Sequence, residues 1–547
     1  MPRHTIHRGH IIDVDAQRVF PGEVDVRDGV ISAVRALDHV PDEAGFICPG
    51  FIDAHVHIES SMLPPAEFAR IAVAHGTVAT VSDPHEIANV LGIDGVRAMQ
   101  EMASQTPCKI HLGIPSCVPA TRFETAGATL DASDIEELCK DPSLIYLAEM
   151  MNFPGVVHRD PEVMAKLAIA KRHNKKIDGH APGLRGDALH AYVAAGISTD
   201  HECTGIEEAR EKQSLGQKIL IREGSAAKNF DALWPLLLEK PGSCMFCSDD
   251  KHPDDLIEGH INLLCARAIA KGVPLFHVLQ AACLNPVGHY GLRSGLLRPG
   301  DPADFIRLAN LESFQVLETW IDGECVSKAG TSLLPVTRAP IVNHFHCDPK
   351  SPADFRAHAP GPAAIVRVIE AIDGTILTGS GEMPATIENG LAMANPEIDL
   401  LKITVVNRYQ NTPPAVAFLR GIGLRHGAIA SSVAHDCHNI VAVGCDDHAL
   451  ADAVNLVIHA GGGISAVGRE IHDLLALPIA GLMSDEPAES VAAGYARLTR
   501  CAHQLGSTLS APYMTLSFLS LLVIPSLKLG DRGLFDGGKF EFTRLFT

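Results

Sequence analysis

Apolar and polar residues alternate from about residue 5 to 48, interrupted at Pro21-Gly22 and at Arg27-Asp28-Gly29. A period of two with turn residues between the runs predicts short antiparallel strands. From 46 to about 285 the pattern changes to short apolar runs alternating with stretches of helical spacing, the rhythm of βα units around a parallel sheet. Eight runs are readable: Phe51–His57, Thr77–Asp83, Lys109–Pro115, Leu144–Glu149, Lys176–His180, Ile197–His201, Lys218–Glu223 and Cys244–Asp249. Between them, Pro65–His75, Asp131–Lys140, Pro161–Arg172 and Leu184–Ala194 carry helical apolar spacing and capping residues. Eight strand-helix units in about 250 residues predict a (β/α)₈ TIM-type barrel, with an open doubly wound sheet as the alternative.

After the barrel, GLLRPGDPADFIRLANLESFQVLETWIDGECV (295–326) returns to strand-and-turn composition. Pairing it with the N-terminal strands would close one small β-sandwich from residues 1–48 and 290–335, with the barrel, 49–289, inserted in it. Prolines at 335, 340, 349, 352 and 360 mark a linker. Residues 345–547 mix strands such as Leu401–Asn407 with helices such as Asp447–His459, which predicts a C-terminal α/β (α+β) domain. At about 150 residues per domain, 547 residues suit three or four units.

Forty-five basic against sixty-five acidic residues give a net charge of −20, which disfavours nucleic acid and anionic membranes as partners. No uninterrupted apolar stretch is long enough to span a bilayer. The start lacks the apolar core of a secretory signal, and the fourteen cysteines show no framework spacing, so a cytoplasmic protein with reduced thiols is expected. A homo-oligomer, a dimer by base rate, is expected on symmetry grounds. The twenty-eight histidines are the compositional oddity, because imidazole is the commonest metal ligand.

Their placement is informative. On a strand, positions i and i+2 point to one side, so His55 and His57 can both face the barrel mouth. Glu149 closes the fourth run, His180 the fifth, His201 the sixth and Asp249 the eighth, and the C-terminal ends of barrel strands share one face. Any one of these alone is as readily a satisfied buried polar group. As a set, four histidines and two carboxylates can hold two divalent ions, with Glu149 bridging. His57-Ile58-Glu59 with Cys244-x-x-Cys247 suggests another zinc signature, but that motif needs P-C-x-x-C and Ser243 stands before Cys244. The two cysteines are assigned to packing. Asp83, before Pro84, either caps the next helix or joins His85 and Glu86 at the rim as a substrate contact. Glu59-Ser60-Ser61 is open to the same two readings. Ala434-His435-Asp436-Cys437-His438-Asn439 is either a polar turn or a loop that completes a pocket.

PGFIDAHVHIESSM (49–62) with DPHEIANVLG (83–92) resembles the amidohydrolase superfamily and, within it, the microbial adenine deaminases. The superfamily resemblance runs over about residues 1–330, including PGDPADF at 299–305, and AHDCHN (434–439) extends the deaminase likeness into the last domain. It implies His55, His57, Glu149, His180, His201 and Asp249 as metal ligands, and two divalent ions, manganese or iron with zinc also acceptable. Cyclic-amide hydrolases of the superfamily generally carry a carbamylated lysine where this chain has Glu149. The implied reaction is hydrolytic deamination of adenine at C6 to hypoxanthine and ammonia. Asp249 would accept the proton of the attacking water, Glu149 would bridge, and Asp83, His85 or Glu86 would serve a ring nitrogen. Asp250, beside Asp249, competes for its role. The alternatives are deamination or ring opening of another nucleobase-like substrate, and a non-catalytic metal or purine binder.

Overall fold

The computed structural model describes residues 4–225 and 227–547. Met1–Arg3, where the reading of the N-terminal segment begins, lie outside the described residues. Eight parallel strands form the barrel: β1 (Phe51–Val56), β2 (Thr77–Ser82), β3 (Lys109–Leu112), β4 (Tyr146–Met150), β5 (Lys176–Gly179), β6 (Thr199–Asp200), β7 (Lys218–Arg222) and β8 (Cys244–Cys247). Each lies within one residue of a predicted run or inside it. The ladders β1-β2-β3, β4-β5 and β6-β7-β8 are joined into a ring by one to three backbone bonds at each seam. Ile114 N donates to Tyr146 O (2.8 Å), Ser198 N to Ile177 O (2.8 Å) and Asp249 N to His55 O (2.9 Å). Every residue of β1, β2, β4 and β8 is buried, as expected for strands covered on both faces.

The intervening helices follow their caps. Asp160 accepts from Glu162 N and Val163 N, Pro161 occupies the first turn of Pro161–Arg172, and Lys171 and Arg172 sit in its last turn. Asp131 and Asp134 form a capping box on Ala132–Cys139. Asp83 does not cap the helix His85–Leu91, whose N-cap is Pro84; its carboxylate faces the His85 ring instead. The capping reading of Asp83 is therefore corrected: the proline holds that position. Ile58–Ser61 is a short 3₁₀ turn. Cys244 and Cys247 are buried in separate hydrophobic clusters, so they share no site.

The chain enters the barrel through Phe46–Pro49 and, after it, runs into Phe305–Leu308, which pairs antiparallel with that strand. Strands from both ends form one eight-stranded sheet in the order 331–332, 324–328, 316–321, 305–308, 46–49, 4–13, 18–27, 30–36. Gly50 links this sheet to β1, and a Cβ there would lie 2.3 Å from Val78 Cγ1 of β2, which accounts for the glycine in the PGF turn. The rest of the chain builds a ten-stranded mixed sheet from Ala357 to Ala476, with helices Asp447–His459 and Ala488–Gln504. Barrel and C-terminal residues share one hydrophobic cluster, in which Ile87 and Leu112 lie with Val441 and Leu477. No helix among the described residues is long and apolar enough to cross a membrane.

Beneath the mouth, fully buried Asp53 of β1 accepts from Ser248 N (3.0 Å) and Ser248 Oγ after β8, and lies 2.8 Å from His260 Nε2. His260 Nδ1 lies 2.7 Å from Thr77 Oγ1 of β2. This polar clasp closes the ring where the metal-type ligands begin. Asp53→Ala orphans its donors and should cost about 3–5 kcal/mol of stability. Chemical denaturation measures it, and a loss below about 1 kcal/mol would show that the clasp contributes little.

Candidate active site

All six residues singled out as ligands converge at the C-terminal end of the barrel, and all are buried. Glu149 is at the centre. Its Oε1 lies 3.1 Å from His57 Nε2 and 4.0 Å from His55 Nε2, while its Oε2 lies 2.6 Å from His180 Nδ1 and 3.1 Å from His201 Nε2. Oε1 also lies 3.5 Å from His85 Nδ1, so this oxygen faces His57, His85 and His55 while Oε2 faces His180 and His201. Asp249 Oδ1 faces the first pair, 3.6 Å from His55 Nε2 and 3.3 Å from His57 Nε2. Its backbone takes the left-handed conformation, φ 56°, which turns the strand end into the mouth.

The ring orientations show what the cluster can hold. His57 Nδ1 lies 3.1 Å from the carbonyl oxygen of Asp83, which can only accept, so Nδ1 carries the hydrogen. That leaves the Nε2 lone pair facing His55 Nε2 at 3.1 Å together with two carboxylates. Opposed lone pairs and carboxylate oxygens repel unless protons or a cation sit between them. Although burial opposes it, bonding to Asp249 and Glu149 raises the His57 pKa well above its ordinary value. Burial likewise works against ionised Glu149, but the charges of His180 and His201 hold its pKa well down. Burial pushes Asp249 up, while Arg222 and then His55 and His57 bring it well below the carboxylate range. The donor set demands positive charge, and two imidazole pairs with a shared carboxylate fit divalent cations.

The rim separates by depth. His85 lines the central cavity, with Nδ1 3.1 Å from Asp83 Oδ2 and Nε2 3.7 Å from Asp436 Oδ1. Burial opposes its proton, but Asp83 raises its pKa well above the ordinary value. Asp83 and Glu86 stand behind it. Glu86 Oε1 accepts from Ser60 Oγ at 2.6 Å, and His435 and His438 lie 3.9 and 3.8 Å from its carboxylate. Glu59 accepts from Ile87 N, so Glu59 and Ser60 brace the loop around Glu86. Asp250 Oδ1 contacts Ser60 Oγ at 2.6 Å, away from the histidines that Asp249 faces.

Three features escaped sequence reasoning. Arg222 ends β7, which with β3 is one of the two strand ends from which no side chain had been selected, and donates to Asp249 Oδ2 at 2.5 Å and to both oxygens of Glu202. Glu202 directly follows His201, so position alone could have suggested both. Lys212, fully buried, donates to Ala181 O and Glu208 (each 2.7 Å) and pairs with Asp200 (3.0 Å), pinning the loops after β5 and β6. The third is the apolar part of the C-terminal wall: Ile376, Phe518 and Leu521 close the cavity beside His435 and Asp436 of the loop already singled out, with His435 stacked on Phe518 at 4.6 Å. The segment 434–439 is buried and turns at 435–437, and its His435 and Asp436 line the cavity, so the polar turn and the pocket loop are one feature. The space left among these groups is about 30 Å³, too little for a purine without movement of the side chains that line it.

The amidohydrolase family matches residues 46–326, and the family described as adenine deaminase C-terminal domain matches 375–541. An adenine deaminase of Salinibacter ruber is 54% identical over 100% of both chains. One of Methanosarcina mazei is 52% identical over 99% of each, and one of Borreliella burgdorferi 47% identical over 97% of this chain and 98% of that one. Among solved structures, an enamidase of the amidohydrolase superfamily is 18% identical, with a TM-score of 0.46 over 62% of this chain and 99% of its own.

Glu124 couples the C-terminal wall to the solution. Burial first, then the charges of Asp436 and Asp531, push its pKa up to about 8. The folded protein therefore keeps a proton that the unfolded chain releases near 4.5. Between these values the native state binds more protons, so stability falls as pH rises. Glu124→Gln should remove that slope, on the order of a few kcal/mol, when unfolding midpoints at about pH 5.5 and about pH 8.5 are compared. Equal slopes in the two proteins would mean that Glu124 ionises normally.

Proposed function

Because the chain belongs to the amidohydrolase family and, within it, to the adenine deaminases, it hydrolyses adenine to hypoxanthine and ammonia, and we propose the following division of labour among its side chains. The observation that carries it is the split of Glu149, one oxygen toward His55 and His57 and the other toward His180 and His201. We assign His55, His57 and Asp249 to one divalent ion, His180 and His201 to a second, and Glu149 to both, with manganese or iron as the metal and zinc as an alternative. Ions held there supply Lewis acidity that makes water acidic near neutral pH.

The remaining steps belong to the protein. Asp249 Oδ1 is the oxygen of its carboxylate not held by Arg222, so it is both the atom offered to the ion and the one that takes the proton of the water that attacks C6. As the C6–O bond forms, the electron pair of the ring moves to N1, and His85 gives that nitrogen a proton. Asp83, 3.1 Å from His85 Nδ1, holds the ring and its charge in place, which makes Asp83 a positioning residue behind the contact. Asp249 then passes its proton to the exocyclic nitrogen, the C6–N bond breaks and ammonia leaves, and the proton of the C6 hydroxyl is given up as the carbonyl of hypoxanthine forms, which restores the proton that His85 gave to N1. Ile376, Phe518 and Leu521 provide the apolar wall that a flat purine requires and exclude water beyond the attacking one. Glu86, which does not line the cavity, braces the rim through Ser60. All fourteen cysteines are free, which supports a reducing compartment such as the cytoplasm. For the domains we propose 1–48 with 290–335, 49–289 and 345–547.

Asp249→Asn should retain much of the metal and lose most turnover, about 10²–10⁴-fold, in ammonia release from adenine. Normal turnover would remove Asp249 from proton transfer. His85→Asn should lower kcat over the same approximate range with metal content unchanged, and a change in KM alone would reduce His85 to a binding contact.

A further inference from the structure

Glu202 is a carboxylate in a place where a ligand would be expected. Its Oε1 lies 3.5 Å from His201 Nε2 and 3.8 Å from His180 Nδ1, and these three side chains form a buried group able to hold a cation. Yet both of its oxygens are occupied: Arg222 Nη1 donates to Oε1, and Nη2 to Oε2 at 3.0 Å. The same Nη1 donates to Asp249 Oδ2 at 2.5 Å. One guanidinium thus lies between two carboxylates, each of which faces a different histidine pair.

Arg222 is itself fixed from behind. Its backbone N donates to Asn229 Oδ1 at 2.8 Å, and Asn229 Nδ2 donates to the carbonyls of His201 (3.0 Å) and Cys203 (3.1 Å). The end of β7 and the loop after β6 therefore move together. A lysine could not reproduce this arrangement, because only the planar fork meets both oxygens of one carboxylate while a nitrogen also serves a second.

We propose that Arg222 is a positioning residue that keeps Glu202 out of the coordination of the cation at His180 and His201. The inference rests on the assignment of those two histidines as metal ligands. With its oxygens bound to the guanidinium, Glu202 contributes charge but no ligand atom, so the site keeps the open position that a hydrolytic centre needs for water. Without Arg222, Glu202 is an unpaired buried carboxylate beside a cation, and the lowest-energy remedy is to bind it. The site then gains a ligand and closes. Arg222 also keeps Asp249 to a single free oxygen, the one that faces His55 and His57.

This predicts the opposite sign from an ordinary supporting residue, whose loss weakens metal binding by about 10–100-fold. The experiment measures transfer of metal from manganese-loaded protein to a chelator, with deamination assayed in parallel. Arg222→Gln should release metal about tenfold more slowly than the parent protein while kcat falls about 100-fold. Adding Glu202→Gln to that variant should return release to within about twofold of the parent rate, because the extra ligand is gone. Glu202→Gln alone should leave release unchanged within the same margin. Should Arg222→Gln fail to fold, Arg222→Lys carries the test, since one ammonium leaves a Glu202 oxygen free and should slow release in the same direction. Faster release in the Arg222 variant, or stripping of metal by Glu202→Gln alone, would overturn the proposal, the latter by making Glu202 a ligand already. His201→Asn serves as the control: if it keeps its metal, the ligand assignment has failed rather than the role of Arg222.

Discussion

Three carboxylates, Glu149, Asp249 and Glu202, are buried within a few ångströms of four imidazoles at the mouth of the barrel. Desolvating that much negative charge is costly unless positive charge lies among it, and among the described residues that line the cavity Arg222 is the one permanent cation. The geometry of the site follows from how this demand is met. Histidine rings are turned so that lone pairs converge, as the contact of His57 Nδ1 with a carbonyl shows. Glu149 divides its oxygens between two pairs, and Arg222 ties up the oxygens that would otherwise crowd the centre. The scaffold then has one task, which is to hold mutually repelling groups together.

The barrel does this by placing each group at the end of a different strand. No ligand pair except His55 and His57 is close in sequence, and each position is set by a covered strand whose packing does not depend on the site. Below the mouth, Asp53, Ser248, His260 and Thr77 satisfy one another and close the ring, so that β1 and β8 meet where His55 and Asp249 must be neighbours. Lys212, bonded to Ala181 O, Glu208 and Asp200, does the same for the loops carrying His180 and His201. These buried polar contacts serve less as net stabilisation than as fixed spacing, because each is satisfied in only one arrangement.

The C-terminal domain turns an open metal centre into an enclosed pocket. Its loop 434–439 sets Asp436 against His85, and its apolar residues Ile376, Phe518 and Leu521 face the ligands across the cavity. The cavity is therefore lined by two parts of the chain, the barrel with its charged and imidazole groups and the C-terminal part with an apolar face. A continuous hydrophobic cluster joins the two, so the wall is as firmly placed as the barrel itself.

The eight strands were legible because most strands covered on both faces are rich in apolar residues, and the intervals between them carry caps that hydrogen-bond locally, as Asp160 and Asp131 do. The ligand set was legible for the same local reason: a residue at the end of such a strand can point only toward the mouth. What local pattern could not show was which polar side chains meet across the site. Asp83 read equally well as a helix cap, and only the packed structure turns its carboxylate to His85. Asp249 and Asp250 differ by one position and are separated by backbone conformation and by Ser60, a partner 190 residues away from Asp250. Arg222, Glu202 and the wall of Ile376 and Phe518 have no short-range signal, since their partners lie on other strands or in another domain. The sequence by itself determined the barrel and which six candidate ligands gather at its mouth, because these depend on periodicity and strand ends. Which carboxylate remains free, which is masked, and what covers the substrate were decided only by tertiary structure, because charge compensation and enclosure act through space between residues far apart in the chain.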